Sequence, residues 1–350
     1  MIERHGEDTQ TLHAELLALL LAQEAGRDWS HLSGSFHTKA IANGVYVYFQ
    51  YSDPGGSKRQ FAVGPKSKAI DAIVAEYHEG RTANAADRLR VERLARLLIT
   101  AGQTAPSKAV TRVLRAFADA GVFRLGGVLV GTHAFLLLGN MLGVAWPAGA
   151  WRTEDVDVAG HVEIAAPNLE ADIPKALDSL QMGFVPVPAF DRRHPSTSFK
   201  VRGKQLRVDL LTPGSDRDRA PIPIRRFRAA AAPVKFLSLL LEEAQPAPAV
   251  DGGATLVTVP APARFALHKL LVSQTRSAEQ QTKAGKDQHQ AALLLEVLHE
   301  DRRDDLDAAC AAFRKSGPVV TTKVVRAARA VAKRWPDAAT AAEAVVDSLA

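Results

Sequence analysis

The chain has 350 residues, 47% of them apolar and 23% charged, which is enough to bury a sizeable core and excludes wholesale disorder. One cysteine, Cys310, excludes a disulfide framework and a cysteine-ligated zinc site, and fits a reducing cytosol. The net charge of +6 is unevenly spread: residues 1–105 carry 12 basic and 12 acidic side chains, whereas residues 182–236 carry 12 basic and 4 acidic, a net of +8 where a polyanionic partner is expected.

The first ten residues, MIERHGEDTQ, hold acids and no apolar core, so no signal peptide is read there and a cytoplasmic location is expected. Residues 10–24 read as a short buried helix. A small antiparallel sheet, expected to have three strands, follows within 33–65, with strands at 45–51 and 60–63 and the turn signal Asp53-Pro54-Gly55-Gly56 between them. Across residues 31–68, five cations (Lys39, Lys58, Arg59, Lys66, Lys68) face one acid, Asp53, and interleave with Phe36, Tyr46, Tyr48, Phe49, Tyr51 and Phe61. That is how many single-strand and RNA binders are built; the competing reading is a small module whose aromatics pack inward. A helical region is expected over 66–104, broken near Gly80 and Ala83. An amphipathic helix over 107–120 ends at Gly121.

Residues 125–151 contain no Asp, Glu, Lys or Arg, long enough to span a bilayer. Seven of them are glycine or proline, however, so the stretch is read as a buried strand (127–130), a turn at Gly131-Thr132, a helix to about 143 and a loop. Further strands are expected at 153–159, 183–187, 197–202, 205–211 and 254–259, and a helix at 169–180. The strand at 254–259 follows an Ala/Pro-rich stretch near 245–254, and Pro260 then opens a helical C-terminal region, with helices near 261–275, 286–299, 303–315, 319–334 and 338–349.

Thr153-Glu154-Asp155-Val156-Asp157-Val158 alternates acids with apolar residues, a strand pattern. Asp155 and Asp157 therefore share one face, about 6–7 Å apart. Two adjacent carboxylates repel unless the face is wet or a cation lies between them. Leu206-Arg207-Val208-Asp209-Leu210-Leu211 is a second strand with one carboxylate. Beside the first, it would complete a three-carboxylate cluster; the competing reading for Asp209 is a salt bridge to a neighbour such as Arg207. Oxygen-only ligands select Mg²⁺ or Mn²⁺, and a pair of such ions suits an in-line phosphoryl displacement.

Upstream, Val128-Leu129-Val130-Gly131-Thr132-His133-Ala134 runs from a strand through Gly-Thr into a helix. Its free backbone N–H groups would attract phosphate, the glycine permits close approach, and Thr132 adds a hydroxyl that could also cap the helix. A P-loop is excluded, because Thr132 and His133 stand where Lys and Ser or Thr are required. His133 is read as a packed or hydrogen-bonded histidine, not a ligand. Arg152 and Thr153, just before the acid strand, could contact phosphate, and Lys269 and Lys286 could reach a triphosphate from the helical region; a loop arginine and surface lysines are the alternatives. Lys200, Arg202, Lys204 and Arg207 flank Asp209 and could steer a nucleotide or nucleic acid.

In this order, the Gly-Thr turn, the Asp-x-Asp strand and the later lone Asp resemble the polymerase-β-type nucleotidyltransferase superfamily. More narrowly, they are similar to a group of bacterial nucleotidyltransferase-fold proteins in which Val-Gly-Thr-His-Ala precedes Thr-x-Asp-hydrophobic-Asp. The resemblance covers about residues 107–215, and Pro260, Ala263-Arg264-Phe265, His268-Lys269-Leu270, Lys286-Asp287 and Gln290-Ala291 look like that group's helical partner region. It implies that Gly131 and Thr132 hold a nucleoside triphosphate. It implies further that Asp155 and Asp157 bind both metals, and that Asp209 binds the catalytic metal and helps activate the acceptor hydroxyl. Two departures are a longer gap between Thr132 and Asp155, which holds AWPAGAW, and threonine in place of the usual serine after the glycine.

The expected fold is α+β: a small mixed sheet of nucleotidyltransferase type flanked by helices (106–259), after an N-terminal sheet-and-helix module (1–105) and before a helical C-terminal domain (260–350). The expected activity is Mg²⁺- or Mn²⁺-dependent transfer of a nucleoside monophosphate from an NTP, with pyrophosphate released. An RNA end such as a tRNA, or a DNA end, is the first acceptor considered; a protein hydroxyl is second and a small molecule third. The alternative is a non-catalytic nucleotide sensor or nucleic-acid-binding regulator on the same fold. Convergence of Asp155, Asp157 and Asp209 within metal-binding reach favours the enzyme; an Asp209 that points into the core or pairs with an arginine favours the alternative.

Overall fold

The computed structural model of the chain describes all residues except 1, 27–33, 42–43, 53–57, 148–154, 161–169, 190 and 192. A two-residue strand, β1 (Glu3–Arg4), leads into α1 (Glu7–Ala25). Strands β2 (Gly34–Ile41), β3 (Gly44–Ser52) and β4 (Lys58–Pro65) then form the expected three-stranded antiparallel sheet, with β3 in the middle. The turn signal at 53–56 lies outside the described residues. Helix α2 (Lys68–Thr100) closes one face of this sheet, with Phe36 and Phe49 edge-on to Tyr77 at ring-centroid distances of 5.1 and 5.5 Å.

The expected break near Gly80 does not occur. A helical glycine costs about 0.5–1 kcal/mol relative to alanine. Packing outweighs it: Tyr77 is buried against the sheet, and Val91, Leu94, Ala95 and Leu98 form a core with Leu16 and Leu20 of α1.

Helix α3 (Lys108–Asp119) precedes β5 (Gly127–Val130) and α4 (Gly131–Met141). A short β6 (Val144–Ala145) pairs with β1. Then come β7 (Asp155–Gly160), α5 (Ile173–Ser179), β8 (Phe184–Pro186), β9 (Ser198–Val201), β10 (Arg207–Gly214), β11 (Ile222–Ile224), β12 (Ala229–Lys235) and α6 (Leu237–Leu241). The sheet runs β11-β12-β10-β7-β5, with β9 also beside β10 and β8 beside β9. Strands β7, β10 and β12 are mutually parallel in sequence of pairing, while β5 and β9 are antiparallel to their neighbours. This mixed sheet with flanking helices is the expected α+β class.

Two local expectations change, at α5 and at 245–250, and one strand falls where no element was expected. Helix α5 starts at Ile173 rather than near 169, because Asp172 caps it by accepting from the Lys175 N–H and Pro174 lies in its first turn. The segment 229–235, AAAAPVK, favours helix by composition but is a strand, drawn into the sheet by parallel pairing to β10. The Ala/Pro-rich 245–250 is also a strand, β13 (Gln245–Val250), antiparallel to β14 (Ala254–Val259) in a two-stranded sheet. Pro246 and Pro248 alternate, so their missing N–H groups fall on one edge, where the ladder does not need them.

The C-terminal helices are α7 (Pro262–Ser273), α8 (Gln281–Asp301), α9 (Arg303–Lys315), α10 (Pro318–Arg334) and α11 (Ala339–Leu349). One continuous core runs from Val110 to Leu349 through the sheet and these helices. At its centre α4 is buried nearly all round, and Phe135 stacks on Trp146 and Phe265 at 4.7 and 6.3 Å. This explains the uncharged run. No helix among the described residues is long and apolar enough to cross a membrane.

Candidate active site

Period-two alternation sorts the side chains of β7 and β10. Val156, Val158, Val208 and Leu210 are buried on one face. Asp155, Asp157 and Asp209 take the other. The two strands are parallel neighbours with Asp157 opposite Asp209 and Asp155 opposite Arg207. Directly opposed residues share a face, so three carboxylates and one guanidinium form a two-by-two patch.

Asp157 and Asp209 are half-buried, and Asp155 is exposed. Burial, then the Asp209 and Asp155 charges, push the Asp157 pKa up to about 7, against the opposing charges of Lys269 and Arg207. Asp209 is already engaged. Its Oδ1 accepts from Arg207 Nε at 2.8 Å and from the Ser198 hydroxyl of β9, and Arg207 Nε lies 2.7 Å from that same hydroxyl oxygen. This is the arginine partnership weighed from the sequence. As the side chains stand, no three His, Cys, Asp or Glu among the described residues are grouped to hold a metal. The oxygen-only pair Asp155 and Asp157, one of them with a raised proton affinity, fits a hard divalent cation. The site's third acid, Asp209, is bonded to Arg207 and Ser198 through one oxygen, Oδ1.

The Gly-Thr turn lies directly above Asp157. Strand β5 is antiparallel to β7 with Val130 opposite Asp157. The chain then turns at Gly131 with φ of +69°, and a Cβ at Gly131 would sit 2.3 Å from Asp157 Oδ2. Both the conformation and the clearance demand glycine. Helix α4 begins at Gly131 itself and has no side-chain cap, so Thr132 lies inside the first turn and does not cap it. The first-turn N–H groups thus keep their capacity for an anion. Gly131→Ala should lower stability by about 1 kcal/mol through backbone strain alone and displace the Asp157 carboxylate. Calorimetric titration with Mn²⁺ checks it: binding as tight as wild type would show that the turn and the carboxylate are not coupled.

The cationic side comes from α7 and α8. Lys269 Nζ donates to Asp287 Oδ1 at 2.6 Å, and Arg276 Nη2 donates to Asp287 Oδ2 at 3.0 Å. The Asp287 side chain is 5% exposed and that of Lys269 13%. Burial alone would raise the Asp287 pKa, but Lys269 and Arg276 outweigh it and hold it below the usual carboxylate range. Lys286 has its pKa lowered by burial and then by Lys269, and it feels the charges of Asp155 and Asp157. Both predicted lysines therefore converge on the carboxylate patch across some 110 residues of chain. His133 is buried, and neither ring nitrogen has a hydrogen-bond partner among the described residues. Burial, then Lys286, lower its pKa to about 4. It is a packed neutral histidine, as expected. Arg152 and Thr153 lie outside the described residues.

Residues 108–315, more than half of the chain, match the nucleotidyltransferase family model. The chain belongs to the nucleotidyltransferase family. Among solved structures, it is similar to an antigenic nucleotidyltransferase-like protein from Paracoccidioides brasiliensis, at 15% identity over 63% of this chain and 94% of that chain, with a TM-score of 0.34. No curated relative matches the chain.

The nucleotidyltransferase span includes the Gly131 turn, the three aspartates, Lys269 and Lys286. It also includes three residues that sequence reasoning did not place in the site: Ser198, Arg276 and Asp287. Asp287 had a signal, an acid between apolar-spaced positions beside Lys286 on a helix. Ser198 and Arg276 had none, because only strand pairing and helix packing bring them in.

Proposed function

We propose that this nucleotidyltransferase transfers a nucleoside monophosphate from an NTP to an acceptor hydroxyl, using Mg²⁺ or Mn²⁺ held at Asp155 and Asp157. The observation that carries the reading is the half-buried Asp157, set between two further carboxylates and under the glycine turn. A divalent cation there would supply charge neutralisation and bring the triphosphate to the acids. The chain's own groups do the rest by positioning. The first turn of α4 would face phosphate oxygens, and Lys269 and Lys286 supply positive charge from α7 and α8. The acceptor oxygen bonds to the α-phosphorus as the bond to the bridging oxygen breaks, and pyrophosphate leaves with that oxygen. The acceptor proton passes to a carboxylate of the patch, Asp209 in this reading. The +8 block at 182–236 supports a nucleic-acid end as acceptor ahead of a protein hydroxyl.

One observation favours a second reading, a non-catalytic nucleotide sensor: Asp209 is bonded to Arg207 and Ser198. A single experiment separates the two. The protein is incubated with each α-³²P-labelled NTP, Mg²⁺ or Mn²⁺, and total RNA and protein, with the Asp155→Ala/Asp157→Ala variant as control. Label on a macromolecule with the intact acids only is the expected result. Bound NTP with no label on any acceptor would favour the sensor.

A further inference from the structure

The N-terminal sheet lies before the nucleotidyltransferase span and is used by none of the chemistry above. Its two faces differ. Register places Phe36 opposite Phe49 and Phe49 opposite Phe61, so these rings share the face that packs on Tyr77 of α2. Tyr51 is on that face too, 6.4 Å from Phe61. The aromatics at 46 and 48 go the other way. Tyr46 is opposite Lys39, and Tyr48 is opposite His37 and Ala62. Lys39 Nζ sits 5.0 Å from the Tyr48 ring centroid and donates to Gln60 Oε1 at 2.9 Å. His37, Lys39, Lys58 and Gln60 are exposed, and both tyrosines are half-exposed.

The three strands, 34–41, 44–52 and 58–65, contain no Asp or Glu. An outward face with two half-exposed tyrosine rings, lysines and no acid is complementary to a polyanion that carries flat rings. Tyr46 and Tyr48 stand about 7 Å apart on one strand, a spacing that accepts two splayed bases. Lys39 and Lys58 flank them where a phosphate chain would run. Stacking on tyrosine is indifferent to base identity, while the lysines answer the polyanion.

We infer that this outward sheet face is a platform for single-stranded nucleic acid, stacking bases on Tyr46 and Tyr48 and meeting phosphates with Lys39 and Lys58. The platform stands apart from nucleotidyl transfer, since binding requires neither NTP nor metal.

Fluorescence anisotropy on the full chain tests it, with fluorescein-labelled single-stranded RNA, single-stranded DNA and duplex DNA, in EDTA. Binding of either single strand in preference to duplex is expected, and the preferred sugar names the source. Tyr46→Ala and Tyr48→Ala should each weaken binding by about 5- to 100-fold, whereas the Phe substitutions should retain it. Lys39→Ala should reduce the salt dependence by about one counterion. Circular dichroism melts establish that each variant is folded. Asp155→Ala/Asp157→Ala should bind as wild type does, so loss of transfer and loss of this platform are read separately. Equal affinity for duplex, no binding of either single strand, or unchanged affinity in folded Tyr→Ala variants would overturn the inference.

Discussion

Asp157→Asn should melt at a higher temperature than the wild-type chain at pH 8 in EDTA, and should lose metal-dependent transfer by at least about 100-fold. The stability gain follows from the carboxyl pKa of about 7, against an ordinary 3.8, caused by burial and by Asp209 and Asp155. The folded state then holds a proton that the unfolded state releases between those two values. Stability therefore falls as pH rises through this window, and the full cost is present above about pH 7. Asparagine carries no charge and escapes it. The gain should be absent below pH 4 and grow to roughly 1–3 kcal/mol above pH 7, after discounting for the side chain's partial exposure. Mg²⁺ should narrow the difference by stabilising the wild type alone. Melting curves from pH 4 to 8 with and without Mg²⁺ decide it. A variant that turns over normally, or one that is less stable than wild type at pH 8, contradicts the assignment of Asp157.

The largest loss of stability should come from Asp287→Ala. Its carboxylate is nearly sequestered and is shared by Lys269 at 2.6 Å and Arg276 at 3.0 Å. Truncation leaves the Lys269 ammonium, 13% exposed, without its counter-charge. Breaking a buried pair from one side costs about 3–5 kcal/mol. Asp287→Asn keeps the shape and one acceptor, and should cost less. Because Lys269 and Arg276 hold the Asp287 pKa below the usual range, its contribution is complete above the unfolded-state value and is lost as pH falls through the folded one. The difference between wild type and Asp287→Ala should accordingly shrink in acid. The affinity for NTP should fall in step, since Lys269 loses the contact that aims it at the carboxylate patch. Urea melts and NTP titrations measure the two effects. An Asp287→Ala chain as stable as wild type would mean that the ion pair is solvated and structurally idle.

Much of the site was legible because its residues follow local rules. Alternation of acids and valines in 155–158 allows only one face for Asp155 and Asp157, and apolar residues around Asp209 mark the same kind of strand. Gly131 was legible as a turn, since a strand runs through Gly-Thr into a helix there; its positive φ came only with the structure. The uncharged run 125–151 was legible as buried strand and helix rather than a membrane span, because its glycines and prolines punctuate it.

Pairing overrides propensity in two places. Alanines at 229–232 form a strand by parallel pairing to β10, and prolines at 246 and 248 sit in β13, which pairs with β14 alone among the described residues. The N-terminal aromatics posed a choice of inward or outward that both halves of the pattern satisfied: Phe36, Phe49, Tyr51 and Phe61 share the inner face, and Tyr46 and Tyr48 the outer.

By itself, the sequence determined which carboxylates share a strand face, where the Gly-Thr turn falls, and that the chain is of mixed α and β type; each depends on neighbours two to five residues away. Only the tertiary structure decided that Asp157 stands opposite Asp209, that Arg207 and Ser198 take the Asp209 carboxylate, and that Asp287 holds Lys269 toward the patch. Those contacts join residues up to some 130 positions apart, and their register is set by strand pairing and helix packing, which no local pattern encodes.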